Sequence, residues 1–155
     1  MITVDSAGEL TERVGTVLGH SGWVTVPAER IAAFGALTGD EHWVHVDRER
    51  AKADSPFGDV LAHGFLLLSL VTGLANECYE VRRAERWTNY GLDRVRFTAP
   101  VTPADSLRLE LTLDSLEETK TGFRLVLGCV LQRQGSERPA MVADWIVLIT
   151  EGDAR

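Results

Sequence analysis

The chain has almost no cysteine. Cys78 and Cys129 are the only two in 155 residues, so no disulfide framework holds it together. A domain of this length builds its own core, and both residues read as free thiols in a reducing compartment, serving as small core hydrophobes. Basic residues are also short, with 16 Lys+Arg against 23 Asp+Glu and a net charge of −7 with neutral His. That balance repels nucleic acid and anionic membranes and argues against either as the main partner. The longest apolar run, Val60 to Ala75, is interrupted by His63, Ser69 and Thr72. It is also shorter than the roughly 20 residues needed to span a bilayer. The start, Met1-Ile2-Thr3-Val4-Asp5, lacks the basic and apolar stretches of a signal peptide. Pro, Gly and Ser never gather into a linker, and no solenoid-type repeat recurs. With 45% hydrophobic and 25% charged residues, the expectation is one ordered cytoplasmic domain over residues 1–155.

The periodicities predict a helical half followed by a strand half. Residues 22–26 read as a short strand, and Ile31, Phe34 and Leu37 recur at helical spacing over 27–38, ending near Gly39. Asp47 is a candidate N-cap for a helix over 48–53. From Gly64 to Tyr79 apolar residues run almost all the way round a helix, which predicts burial on nearly every side. Strands follow at 89–97, 106–116, 122–133 and 141–150, with turn signals between them. In the second of these, Leu107, Leu109, Leu111 and Leu113 alternate with Arg108, Glu110, Thr112 and Asp114, so one face is wet and the other buried. Short turns make these strands antiparallel. The fold class is α+β, an antiparallel sheet wrapped around a long buried central helix.

Chemistry concentrates in Gly39-Asp40-Glu41-His42-Trp43-Val44-His45-Val46-Asp47, just beyond a helix end, and in His63-Gly64-Phe65, which opens the central helix. Three readings are open. The acidic residues and histidines can be caps and satisfied surface groups. Asp and His in a short span can also ligate zinc or iron, although the spacing fits no compact metal motif. Finally, Asp40 and His45 can hold one water between them, with His moving protons near neutral pH. Gly64 then lets a ligand approach the first amides of a helix, which favour developing negative charge. Base, proton carrier and oxyanion donor together suit the addition of water to an activated double bond.

Phe34, Gly39, Asp40, Val44 and His45, followed by His63-Gly64 and an apolar helix, resemble the MaoC-like dehydratases, or (R)-specific enoyl-CoA hydratases. Asn89-Tyr90-Gly91 and Val95-Arg96-Phe97 resemble that family's strand segments. The resemblance implies a single hot-dog domain and reversible syn hydration of a trans-2-enoyl-CoA to a (3R)-hydroxyacyl-CoA. Asp40 and His45 are then the water-activating residues, and the Gly64 N–H polarises the thioester carbonyl. It implies no cofactor beyond coenzyme A as part of the substrate, no metal, and a homodimer, a state that also removes an exposed sheet edge. His42-Trp43 stand where the family has Asn-Pro, which puts the shape of the acyl pocket in question. The remaining candidates for substrate binding are His63, Phe65, Thr72, Asn89 and the basic knot Arg82, Arg83 and Arg86, whose guanidinium groups suit phosphates. Two rivals share the fold, a thioesterase and a non-catalytic acyl-thioester-binding subunit.

Overall fold

A computed structural model describes residues 1–152. Its elements in chain order are β1 (Ile2–Val4), a 3-10 helix (Ala7–Arg13), β2 (Val17–His20), β3 (Val24–Thr25), α1 (Ala28–Thr38), α2 (Trp43–Val46), α3 (Arg48–Asp54), α4 (Gly64–Ala75), β4 (Tyr79–Val81), β5 (Ala84–Phe97), β6 (Ser106–Thr119), β7 (Gly122–Arg133) and β8 (Met141–Glu151). Six strands form one sheet in the order β2-β6-β7-β8-β5, with β3 also pairing β6. All its pairings are antiparallel. The leucines of β6 alternate as their pattern requires, with Leu107, Leu109, Leu111 and Leu113 fully buried. Leu125, Leu127 and Leu131 of β7 join them, and Leu66, Leu67, Val71 and Leu74 of α4 belong to the same core. The sheet curls around α4, the α+β hot-dog arrangement. Among the described residues no helix is long and apolar enough to cross a membrane.

Five features depart from the sequence reading. The first half is not purely helical, because β1 pairs in parallel with β4 and β2 pairs with β6. These strands are too short to alternate visibly, and partners far along the chain fix them. The strand β5 starts at Ala84 rather than Asn89, because pairing with β8 (Ala84↔Glu151) draws in residues with no apolar pattern. α4 ends at Ala75, before Tyr79 enters β4. It is also not buried all round, since Phe65, Ser69, Thr72, Gly73 and Asn76 form an exposed stripe at helical spacing. His20, which has no visible partner in sequence, meets Glu110 at 2.9 Å across β2 and β6. Cys78 and Cys129 are free and buried.

Candidate active site

α1 stops at Gly39, whose φ of 77° is the left-handed conformation that glycine adopts without strain. The chain turns back and delivers Asp40 against α1, where Gly35 leaves the room. A Cβ at position 35 would lie 2.9 Å from the Asp40 carbonyl oxygen and 3.0 Å from Val46 Cγ1. One turn of helix, α2, then presents His45. Residues 59–62 run alongside it, with the Leu61 N–H donating to the Val44 carbonyl at 2.9 Å and the Ala62 N–H to the Val101 carbonyl at 2.8 Å. Arg48 grips Asp59 through two hydrogen bonds of 2.9 Å and pins this segment to α3. That guanidinium holds the Asp59 carboxyl below the usual carboxylate range.

Three side chains from distant positions meet here. Ligand atoms of Asp40, His45 and His63 all lie within 4.8 Å of one another. The His45 Nδ1–H donates to the Leu61 carbonyl at 2.7 Å, which assigns the tautomer and leaves Nε2 as a free lone pair. The His63 Nε2–H donates to the Asp40 carbonyl at 2.9 Å. The two imidazoles stack with centroids 3.8 Å apart and planes 23° from parallel. Phe34 tilts against His63 at 5.2 Å. Asp40's side chain is 60% exposed and His63's 3%, so the site has a buried inner wall and an open outer one. A carboxylate and an imidazole nitrogen this close fit one bridging water. A cation would draw on the same donors, Asp40, His45 Nε2 and His63 Nδ1.

Gly64 begins α4 next to this cluster. No side chain caps the helix, so its first amides stand open at the positive end of the dipole. Glycine is required here by close approach, because a Cβ would lie 2.7 Å from a ring carbon of Phe97. The structure therefore brings together Asp40, His45, His63 and Gly64. It buries His63 too deeply for direct contact with substrate, which corrects its expected binding role.

The other candidates are elsewhere. Phe65, Thr72 and Asn89 line a cavity of about 320 Å³ between α4 and β5, with Leu68, Leu92 and Trp145. Thr72 makes only a long 3.5 Å bond to the Ser69 carbonyl, and Asn89 accepts from Trp145 Nε1 at 3.2 Å. His42 caps α2, its Nδ1 accepting from the Val44 N–H at 3.4 Å. Trp43 lies under the Arg50 guanidinium at 4.4 Å, and neither residue lines the cavity. Arg82 pairs with Asp5, Arg83 with the Gly152 carbonyl and Arg86 with the Thr150 hydroxyl. They sit at the start of β5, a strand spanning about 40 Å that ends at Phe97 beside Gly64. Sequence reasoning missed Gly35, the Leu61 carbonyl and Phe97. Of these, only Gly35, a glycine inside a helical pattern, left a signal.

A sheet curled around a central helix whose N-terminus meets an Asp–His pair defines a hot-dog domain. The sequence pattern described as "MaoC like domain" matches residues 9–127, and the chain belongs to the MaoC-like dehydratase family. It is 38% identical over 148 residues to 3-hydroxyacyl-thioester dehydratase Z of Mycobacterium tuberculosis, covering 95% of this chain and 97% of that one. Among solved structures, the (R)-hydratase from A. caviae involved in PHA biosynthesis is 27% identical with a TM-score of 0.67, covering 83% of this chain and 93% of that one. An (R)-hydratase from Pseudomonas aeruginosa shares the fold with a TM-score of 0.71 at 23% identity, over 90% of this chain and 83% of that one.

Proposed function

We propose that the chain hydrates a trans-2-enoyl-CoA to the (3R)-hydroxyacyl-CoA, and dehydrates it in reverse. The observation that carries this is the convergence of Asp40, His45 and His63, whose ligand atoms lie within 4.8 Å of one another at the open end of α4, with the His45 Nδ1–H already engaged by the Leu61 carbonyl. A water held between them loses a proton to one of the pair as its oxygen bonds to C3. A proton returns to C2 on the same face, so the balance closes with water and the thioester alone. The Gly64 N–H meets the thioester carbonyl as enolate charge develops. The acyl chain runs past Phe65 into the cavity between α4 and β5, whose lining is apolar apart from Ser69, Thr72 and Asn89.

A second copy of this chain covers the open side. β5 is a sheet edge, with Trp87, Tyr90, Leu92 and Phe97 exposed and Phe65 72% exposed beside it. Pairing two β5 edges about a two-fold between Asn89 and Tyr90 sets Arg86 against the partner's Asp93 and Trp87 against the partner's Leu92. The same symmetry carries the Arg82–Arg86 end of one copy toward the Phe97 end of the other, within reach of carrier phosphates. Arg86→Asp alone then weakens the dimer, and Arg86→Asp with Asp93→Arg restores it in sedimentation. A dimer unmoved by the single change refutes this register.

The activity test mixes the protein with crotonyl-CoA, following enoyl absorbance while a thiol reagent reports free CoA. Absorbance lost without thiol release, with a (3R)-hydroxy product, is the expected result. Asp40→Asn and His45→Gln each lower kcat by at least about 10²-fold with the fold intact. Thiol release would instead make the protein a thioesterase. Silence across a chain-length series would make it a binding subunit.

A further inference from the structure

We infer that His63 is a positioning residue that sets the geometry of both members of the Asp40–His45 pair. The rate part of this inference rests on the hydratase reading above. His63 is 3% exposed, so it does not meet substrate, yet it touches both reacting groups. Its Nε2–H fixes the Asp40 backbone at the carbonyl, 2.9 Å away. Its ring is the surface on which the His45 imidazole rests, 3.8 Å between centroids. Phe34 backs the ring from α1 at 5.2 Å. A purely packing role has no use for an imidazole here, because Nδ1 is left buried without a hydrogen-bond partner. Burying such a nitrogen is unfavourable, and an apolar ring of similar size avoids it. What the imidazole adds over that ring is the bond to Asp40. The stack adds a second constraint. The Leu61 carbonyl fixes one edge of His45, and a flat neighbour removes the remaining freedom to swing about that bond. Nε2 is thereby held toward the water that Asp40 also reaches.

Two variants separate the two jobs. His63→Phe keeps the flat surface and removes the donor, whereas His63→Gln keeps a donor and removes the surface. Each lowers kcat at least tenfold with KM within threefold, measured well below its melting temperature. Imidazole ¹⁵N spectra of His45 provide a readout that a general loss of stability does not move. In wild type and in His63→Phe, His45 shows a single Nδ1–H tautomer, and in His63→Gln it shows a mixture. Either variant keeping kcat within threefold of wild type, or His63→Gln leaving the His45 signature unchanged, overturns the inference. Should both variants fail to fold, wild type decides, because a slowly exchanging His63 Nε2–H is required and its absence refutes the bond to Asp40. Failure of wild type to turn over any enoyl thioester would sink the hydratase reading alone, and the spectra would still judge this one.

Discussion

Alanine is ordinarily a better helix former than glycine by about 1 kcal/mol, so Gly35→Ala in the middle of α1 would normally stabilise the protein. Here the added methyl points into the site. Its Cβ would lie 2.9 Å from the Asp40 carbonyl oxygen, 3.0 Å from Val46 Cγ1 and 3.5 Å from His63 Cε1. The first contact is with backbone, which cannot rotate away, so the Asp40 turn must retreat by about 0.5 Å to reach ordinary contact distances. Overpacking of this kind costs about 1–3 kcal/mol, more than the helix gains. The expected net loss is about 0–2 kcal/mol, and melting falls by up to about 6 °C for a chain of this size. Activity falls further than stability. The displaced carbonyl is the one His63 holds, and a misplacement of about 1 Å at a reacting group costs on the order of 10²-fold. Half that displacement predicts about a tenfold lower kcat for crotonyl-CoA hydration. Adding Val46→Ala relieves only the side-chain contact, and kcat stays low because the carbonyl contact remains. A Gly35→Ala protein that melts higher than wild type with unchanged kcat would refute this account of the site.

Two further expectations concern charge and thiols. Asp114 lies on the outer face of the sheet, where partial burial and then Asp144 hold its carboxyl above the usual range. A native value above the unfolded one means the folded state binds the proton more tightly, so this group's contribution is full at low pH. It is lost as pH rises from about 4 through the raised native value. Asp114→Asn therefore raises the melting temperature at pH 7 and leaves it unchanged below about pH 4, and added salt shrinks the gain. Equal melting shifts at pH 3.5 and pH 7 would contradict this. Burial pushes the Cys78 thiol up to about 11 and the Cys129 thiol up to about 12. Both stay un-ionised at pH 8, so a thiol reagent labels neither within minutes until denaturant is added. Rapid labelling of the native protein would show that one of them is reachable and reactive.

Much of the fold was legible because its signals are local. The Leu107 to Leu113 alternation marks the buried face of β6. The left-handed Gly39 ends α1, and Asp47 caps α3 through a 3.0 Å bond from the Arg50 N–H. The unread parts depend on partners far along the chain. β1 exists because it pairs with β4, 77 residues later, and the first residues of β5 are strand because β8 holds them. The exposed stripe on α4 carries Phe65, and hydrophobicity alone cannot tell a residue covered within its own chain from one left open. The site divides the same way. Spacing and residue chemistry singled out Asp40, His45 and Gly64 among three open readings, and the family resemblance chose between them. The stacking of His63 on His45 and the space above Gly35 arise only when segments 18 and 28 residues apart fold together.

The loop between α1 and α2 shows why reading residues by what they do matters more than reading them by type. An Asn-Pro pair such as the one the family pattern has at positions 42 and 43 suits a helix start, since asparagine caps the first free amides and proline at the next position is already set to helical φ. This chain has His42 and Trp43, and at residue level that is a departure. In the fold the same two tasks are done. The His42 Nδ1 takes the Asn's place as acceptor for the Val44 N–H, and Trp43 opens α2 with its ring held by Arg50 from α3. Both side chains act on the single turn that carries His45, and neither faces the cavity lined by Phe65 and Thr72. The exchange therefore bears on how firmly His45 is presented, and the shape of the cavity is set elsewhere, by α4, β5 and Trp145.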